Sequence, residues 1–140
     1  VLTGAVYDGT WYIAGGKSLM AQLIHDAGGD YLWADYEEVS GVPLDFEAVY
    51  TKALDVDVWI NQSNFQTKKD LLSAEARYSD FKAVKTGELY NYYKRASAQG
   101  GSDVFESAIV RPDRVLEDMM HLFDTVTLDT SQLYYYIPLE

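Results

Sequence analysis

The stretch Gly9-Thr10-Trp11-Tyr12-Ile13-Ala14-Gly15-Gly16-Lys17-Ser18 decides the fold expected for this chain. It predicts a β-strand that ends in a ligand-facing turn and leads directly into an α-helix. The paired glycines allow the backbone to turn sharply between the two elements. The helix then carries apolar residues along one face and stops at Gly28-Gly29, since glycine is favoured just beyond a helix end.

The same order of strand, loop and helix recurs along the rest of the chain. Further strands are predicted at residues 1–6, 30–33, 56–60 and 88–92, and further helices at residues 45–54, 68–81 and 112–123. Loops or turns are predicted at residues 34–43, 61–67, 85–87 and 93–105. We expect the tail at residues 133–139 to pack back on the domain as an apolar strap.

Strands that alternate with helices pair in parallel through right-handed crossovers, so the sequence predicts an α/β domain with an open, mostly parallel sheet and helices on both faces. Ligands of such folds bind at the carboxyl ends of the strands. Aromatic and hydrogen-bonding side chains follow those ends and suit a flat or bulky organic ligand: Trp11, Tyr12, Asp35, Tyr36, Asn64, Phe65, Tyr93, Lys94 and Arg95. The alternative that each aromatic residue only caps the core stays open.

Composition limits the classes of protein to consider. The chain has 140 residues, 48% of them hydrophobic, which is enough for one domain with a buried core. Its net charge is −11 and it has no run of Lys or Arg, so a nucleic-acid partner is not expected. It has no cysteine, which excludes disulfides and thiolate chemistry. Because it begins at Val1 within a predicted strand, we expect a piece of a longer protein.

Nucleotide-binding motifs are incomplete. Gly16-Lys17-Ser18 matches the end of a P-loop, but Trp11 stands where the first glycine of that loop is required. Asn61 stands where a magnesium-binding Asp would follow the strand. The adjacent glycines also fail the spacing of the dinucleotide fingerprint. The sequence therefore argues against nucleotide hydrolysis.

Catalytic and metal-binding patterns are also missing from the sequence. His25 and His121 each lack a second histidine three or four residues away, so neither forms half of a helical metal site. There is no G-x-S-x-G elbow for a serine nucleophile. The carboxylates are numerous but scattered, and no catalytic pair can be identified. We predict no catalytic residue and no metal ligand.

Glu47 has two interpretations. In the first turn of a predicted helix, it stabilises the helix by about 0.3–1 kcal/mol through the positive N-terminal end of the helix dipole. As an exposed acidic side chain, it is also a candidate contact for a basic partner. The residues around it favour the first interpretation, since Glu is ordinary at this position.

Seven motifs, taken in order and with their spacing, resemble one protein family. They are T-W-Y-I-A-G-G-K-S (10–18), D-A-G-G-D-Y (26–31), L-D-F-E (44–47), D-V-W-I-N (57–61), F-K-A-V-K-T-G-E-L-Y (81–90), G-G-S-D (100–103) and R-P-D (111–113). Together they resemble the C-terminal lobe of the iron-siderophore and cobalamin class of ABC-transporter substrate-binding proteins, closest to versions in Bacteroides-like bacteria. The resemblance covers nearly the whole chain.

That resemblance implies a two-lobed receptor that is periplasmic or lipid-anchored and holds a metal chelate between its lobes. Residues 1–140 would form one three-layer, Rossmann-like C-terminal lobe, and the N-terminal lobe and the connecting helix would lie outside this sequence. In the family, an acidic residue at the start of the second helix of this lobe contacts arginines of the membrane permease. Glu47 occupies that position, which reverses the preference in favour of a partner contact.

The resemblance also implies which side chains face the ligand. The candidates are Trp11, Tyr12, Asn64, Phe65, Tyr93 and Arg95. The ligand would be a ferric siderophore, heme or cobalamin, and no enzymatic cofactor is expected. The main alternative is an α/β enzyme domain, such as a metal chelatase or a nucleotide-dependent enzyme. That alternative requires a histidine or a carboxylate pair in the cleft.

Overall fold

The computed structural model describes residues 1–92, 112–124 and 129–140. Its strands are β1 (Leu2–Thr3), β2 (Val6–Tyr7), β3 (Thr10–Ala14), β4 (Gly41–Asp45), β5 (Trp59–Ile60), β6 (Leu89–Asn91) and β7 (Ile137–Pro138). Its α-helices are α1 (Leu19–Asp26), α2 (Phe46–Ala53), α3 (Lys68–Ala74), α4 (Lys82–Thr86) and α5 (Pro112–Phe123). Two 3₁₀-helices lie at Ala76–Asp80 and Thr130–Gln132.

The main sheet has the strand order β1-β5-β6-β7. β5 pairs in parallel with both β1 and β6, and β7 closes the edge in antiparallel orientation. Trp59 and Ile60 of β5 are both fully buried, as expected of a central strand that is covered on both faces. The helices form two groups, α1 with α5 and the first 3₁₀-helix with α3 and α4. The predicted α/β class with a mostly parallel sheet is confirmed.

A second, antiparallel sheet of β2, β3 and β4 was not predicted from the sequence. Asp8 and Gly9 join β2 to β3 with φ angles of 49° and 79°, the left-handed conformation that two-residue hairpin turns require. β3 then pairs over its whole length with β4, with Trp11 opposite Leu44 and Tyr12 opposite Pro43. The predictions that residues 11–13 belong to the parallel sheet and that residues 34–43 form only a loop are therefore wrong. Antiparallel pairing with β2 and β4 competes with parallel pairing for β3, and in this chain β3 pairs antiparallel.

Gly15 and Gly16 serve close packing of the backbone. Gly15 N–H donates to the Ser40 carbonyl (3.0 Å) and Lys17 N–H donates to the Glu38 carbonyl (3.0 Å). A Cβ atom on Gly15 would lie 2.2 Å from the Glu38 oxygen, which no side chain tolerates. The glycine pair therefore binds residues 34–40 to the start of α1.

Helices α1, α2 and α5 lie where the sequence predicts helices, whereas α4 was not predicted. Ser18 caps α1, its Oγ accepting from Ala21 N–H (3.1 Å), and Gly28 follows the helix with φ 86°. Asp45 stands at the N-cap of α2 as predicted, without a side-chain capping bond. The third predicted helix is broken at Glu75 into α3 and a 3₁₀-helix, because Glu75 adopts an extended backbone conformation. The turn predicted at residues 85–87 lies at the end of α4, and residues 30–33 form no strand.

The tail packs on the domain as predicted. Leu133, Tyr135, Tyr136 and Leu139 are buried, and Leu139 N–H donates to the Leu89 carbonyl (2.8 Å). Asp118 of α5, 2% exposed, anchors this strap through its carboxylate. That carboxylate accepts backbone N–H bonds from Tyr134 (2.7 Å), Tyr135 (2.7 Å) and Tyr136 (3.1 Å). Buried carboxylates require such partners, since an unpaired buried charge is costly.

Candidate functional site

The carboxyl ends of β1, β5 and β6 lie side by side because these strands are parallel neighbours. Gly4, Asn61 and Tyr92 are the first residues beyond the three strands. The second sheet approaches the same place, since a Cβ atom on Gly4 would lie 2.9 Å from the Tyr12 carbonyl oxygen. We call this region, formed by residues 4, 12, 61–65 and 92, the strand-end edge.

The loop at residues 61–65 is held in a specific conformation. Asn61 and Ser63 have φ angles of 58° and 55°, a left-handed conformation that is uncommon outside glycine. Asn91, fully buried at the end of β6, donates from Nδ2 to the carbonyls of Ser63 (3.1 Å) and Phe65 (2.7 Å). Strained residues of this kind persist where the surrounding structure fixes them, and they cluster at ligand-binding sites.

Asn61 links this loop to the tail and to α1. Its Oδ1 accepts a hydrogen bond from the Tyr136 hydroxyl (2.8 Å), and its Nδ2 lies 3.5 Å from the Met20 sulfur. The Asn61 carbonyl also accepts from Gly4 N–H (3.1 Å). The sequence analysis did not predict this structural role of Asn61. Asn directly after a buried strand was the available signal, since Asn tolerates the left-handed region.

Gln62 lies beneath the same loop. Its side chain has no exposed surface, and its Nε2 donates to the Trp59 carbonyl (2.5 Å). In the part of the chain that the structure describes, its Oε1 has no hydrogen-bond partner. A buried oxygen without a hydrogen bond lowers the free energy of unfolding, so this loop conformation reduces the stability of the fold.

The predicted ligand-facing residues have different positions. Tyr12 is 56% exposed on the outer face of β3, Asn64 is exposed, and Phe65 is half-buried against the core. All three residues are part of the strand-end edge, Tyr12 through its backbone carbonyl beside Gly4. Tyr93 and Arg95 lie outside the described residues.

Trp11 is the exception among the predicted contacts. Its indole has no exposed surface and its Nε1 donates to the Thr3 carbonyl (2.9 Å). Its ring packs 5.7 Å from Trp59 and 5.8 Å from Tyr78, measured between ring centroids. In this conformation it cannot contact a ligand, because alternation along β3 turns it to the face opposite Tyr12. The prediction that Trp11 faces a ligand is replaced by a role in the core.

Glu47 lies away from the strand-end edge, in the first turn of α2, with a side chain that is 75% exposed. Its Oε1 accepts a hydrogen bond from Arg77 Nη1 (2.8 Å). Arg77 in turn donates from Nε and Nη2 to the two oxygens of Glu75 (2.9 and 3.0 Å). The hydrogen bonds between these partners lower the pKa of Glu75 and raise the pKa of Arg77. Both interpretations of Glu47 remain compatible with this geometry.

The two histidines do not lie at the strand-end edge. His25 is in the last turn of α1, highly exposed, with Nδ1 3.4 Å from the neighbouring Asp26. His121 is in the last turn of α5, whose final residue, Phe123, approaches Gly29 beyond the end of α1. Phe123 and Gly29 line a cavity of about 570 Å³ with Val1 and Val58, which precede β1 and β5. The ends of α1 and α5 therefore lie near the amino-terminal edge of the sheet.

Residues 1–92, 112–124 and 129–140 contain no group of three or more His, Asp or Glu side chains that could hold a metal ion. Within the same ranges, no helix has the length and apolar character needed to cross a membrane. The strand-end edge thus offers aromatic rings and amide groups. Such groups can surround an organic ligand and hydrogen-bond to it.

Comparisons with known proteins agree with this geometry. Residues 1–96 match the model of the periplasmic binding protein family. An uncharacterized lipoprotein from Methanocaldococcus jannaschii is 23% identical over 116 residues, which is 81% of this chain and 26% of that protein. This chain therefore spans about a quarter of that curated relative.

A solved structure from Staphylococcus epidermidis, described as a possible iron-binding (periplasmic solute-binding) protein, has a similar fold. It superposes with a TM-score of 0.64 at 12% identity, covering 88% of this chain and 44% of that one. At that identity the likeness concerns the fold. Because the family match extends over more than half of its residues, this chain belongs to the periplasmic binding protein family.

Proposed function

We propose that this chain is the C-terminal ligand-binding lobe of the receptor of an ABC importer, and that the receptor carries an iron-siderophore or a related metal chelate such as heme or cobalamin. One observation supports the proposal most: the strand-end edge combines a strained, tightly held loop at residues 61–65 with the exposed ring of Tyr12. Membership of the periplasmic binding protein family and the similarity to the Staphylococcus structure support the same proposal.

The proposed ligand contacts are Tyr12, Asn64 and Phe65 of the strand-end edge, together with Tyr93 and Arg95 beyond β6. Rings supply contact area with little loss of conformational freedom, and the Asn64 amide can donate to or accept from polar groups of a chelate. Arg95 would meet the negative charge of a ferric chelate. Metal coordination would be satisfied by the chelate itself, so the lobe needs no metal ligands of its own.

A single lobe covers one side of a ligand. Binding sites normally bury 70–90% of a small ligand's surface, so we propose a second lobe opposite the strand-end edge. This chain covers 44% of the solved structure that it resembles, which leaves room for such a lobe. The intact receptor would be periplasmic, with a lipid anchor outside this sequence.

We propose no catalytic step for this lobe. A chelatase would require a histidine or a carboxylate pair at the site of ligand binding. Both histidines lie in the last turns of helices, outside the strand-end edge. The site supports binding and release better than chemistry.

Calorimetric titration of the intact receptor with ferric siderophores, heme and cobalamin tests the ligand class. We expect one of the three to bind, and failure of all three would refute the metal-chelate proposal. Tryptophan fluorescence is a second readout. Trp11, Trp33 and Trp59 are all buried, so quenching would report energy transfer to the chelate. Direct contact with the rings would not be the cause.

Glu47 is the proposed contact for the membrane subunits. We expect Glu47→Lys to abolish most uptake while ligand affinity stays unchanged, because a positive charge would repel arginines on the permease. Glu117→Lys is the matched control, since Glu117 is also exposed, on α5. Uptake that survives Glu47→Lys would return Glu47 to the role of a helix-end stabiliser.

A further inference from the structure

The Arg77 guanidinium is held from three directions. Nε and Nη2 donate to both oxygens of Glu75, Nη1 donates to Glu47, and the guanidinium carbon lies 4.0 Å from the Phe46 ring centroid. Arg77 N–H also donates to Glu75 Oε1 (3.1 Å). A paired contact with a carboxylate and stacking on an aromatic ring each fix the plane of the guanidinium.

Glu75 and Glu47 differ in how they contact Arg77. The Glu75 side chain is 20% exposed and uses both oxygens on Arg77, whereas Glu47 is 75% exposed and uses Oε1 alone. For Glu47 Oε2, the described ranges show no hydrogen-bond partner. Two carboxylates and one guanidinium leave the cluster with one net negative charge. An incoming cation would therefore meet an oriented carboxylate with an acceptor still available.

We propose that Arg77 is a positioning residue for docking, which fixes the Glu47 carboxylate through Oε1 so that Oε2 receives a guanidinium of the membrane subunit. This inference rests on the docking function proposed for Glu47. The opposite role is competition, in which Arg77 occupies Glu47 and must leave before docking. Competition fits the geometry less well, because leaving would break the paired bonds to Glu75 and the stacking on Phe46.

Positioning and competition predict opposite changes in the rate at which the receptor dissociates from the membrane subunits. If Arg77 positions Glu47, Arg77→Gln frees the Glu47 side chain, which must then be ordered during docking. We expect dissociation from the membrane subunits to become about two- to tenfold faster, the range for ordering one such side chain. If Arg77 competes, dissociation becomes slower. The dissociation rate is the informative quantity, because a change in net charge acts mainly on association.

The experiment measures dissociation of the intact receptor from the membrane subunits of its cognate importer in nanodiscs. Lys85→Gln is the control, since it removes one positive charge from an exposed position on α4. We expect no change in dissociation for that variant. Arg77→Lys retains the charge but cannot bond to both glutamates in one plane, so we expect it to resemble Arg77→Gln. Unchanged or slower dissociation of Arg77→Gln would overturn the inference.

Two further variants separate this inference from the docking function itself. Glu47→Gln should speed dissociation if Glu47 docks, and Arg77→Gln should add nothing in that background. If Glu47→Gln has no effect, both the docking function and the inference fail. If Glu47→Gln has an effect and Arg77→Gln adds to it independently, the inference alone fails. Glu75→Gln, which keeps Arg77 but loosens it, should give the same sign if Arg77→Gln proves poorly folded.

Discussion

Trp11 and Tyr12 are neighbours on β3, yet they belong to regions with opposite properties. Trp11 lies within an aromatic cluster with Phe46, Trp59, Tyr78 and Phe81, whose ring centroids are 5.0–6.4 Å apart where they pair. Tyr12 points out of the second sheet and is 56% exposed. The comparison shows that an aromatic residue near a strand end is accessible to a ligand only when the strand turns it outward.

The aromatic cluster and the strand-end edge also differ in how their polar groups are used. In the cluster, the indole N–H groups of Trp11 and Trp59 donate to the carbonyls of Thr3 and Gly4 (2.9 and 2.7 Å), so their polarity is used within the fold. At the strand-end edge, Asn64 is exposed and remains accessible to a ligand. Stability therefore resides mainly in the cluster, and the proposed recognition resides at the edge.

The largest expected effect comes from a matched pair of substitutions on β3. Trp11→Ala should lower the free energy of unfolding by about 3–5 kcal/mol, since it leaves a cavity in the cluster and an unpaired Thr3 carbonyl. Tyr12→Ala should change it by no more than about 0.5 kcal/mol, as for other surface positions. Urea denaturation of the intact protein measures both.

The same pair should have the reverse ranking for the ligand. Tyr12→Ala should weaken chelate binding about two- to tenfold through the lost ring contact. Calorimetry on the folded variants measures this change, and Tyr7→Ala, at another exposed tyrosine, is the control. The proposed difference between Trp11 and Tyr12 would be contradicted if Tyr12→Ala destabilised the fold as much as Trp11→Ala.

A smaller loss of stability than that of Trp11→Ala is expected at the tail strap. Asp118→Asn leaves one acceptor oxygen for three backbone N–H groups and should cost about 2–4 kcal/mol. Hydrogen exchange should become faster at residues 134–136, and also at Asn61, because Tyr136 bonds to the Asn61 side chain. Exchange that stays slow at Asn61 would show that the edge is rigid without the strap.

The smallest effect belongs to the exposed cluster around Arg77. Hydrogen bonding to Arg77 lowers the pKa of Glu75 from 4.5, so the stability from this pair is present above that pH and is lost as pH falls through the lowered pKa. Glu75→Gln removes this dependence. Thermal melts from about pH 6 down to about pH 3 should therefore show the variant and the parent converging at the acid end. Glu117→Gln is the control, and parallel melting curves at all pH values would contradict the prediction.

The sequence predicts part of the strand-end edge. Asn64 and Phe65 follow a strongly apolar strand, and the strand-end rule predicts their position at the carboxyl edge of the sheet. The same rule misplaced Trp11, because it assumed that the strand joins the parallel sheet. The Asp8-Gly9 pair is the local signal for a hairpin at this position.

The sequence by itself determined the elements whose signals lie within a few residues: the apolar face and the Gly28 end of α1, the position of α2 after Asp45, and the buried strand β5. Only the tertiary structure decided that β3 pairs with β4, that Trp11 is enclosed, and that Arg77 reaches Glu47 from 30 positions away. Caps and periodicity act over one or two turns of chain. Pairing partners and ion pairs depend on which distant segments the packed core brings together.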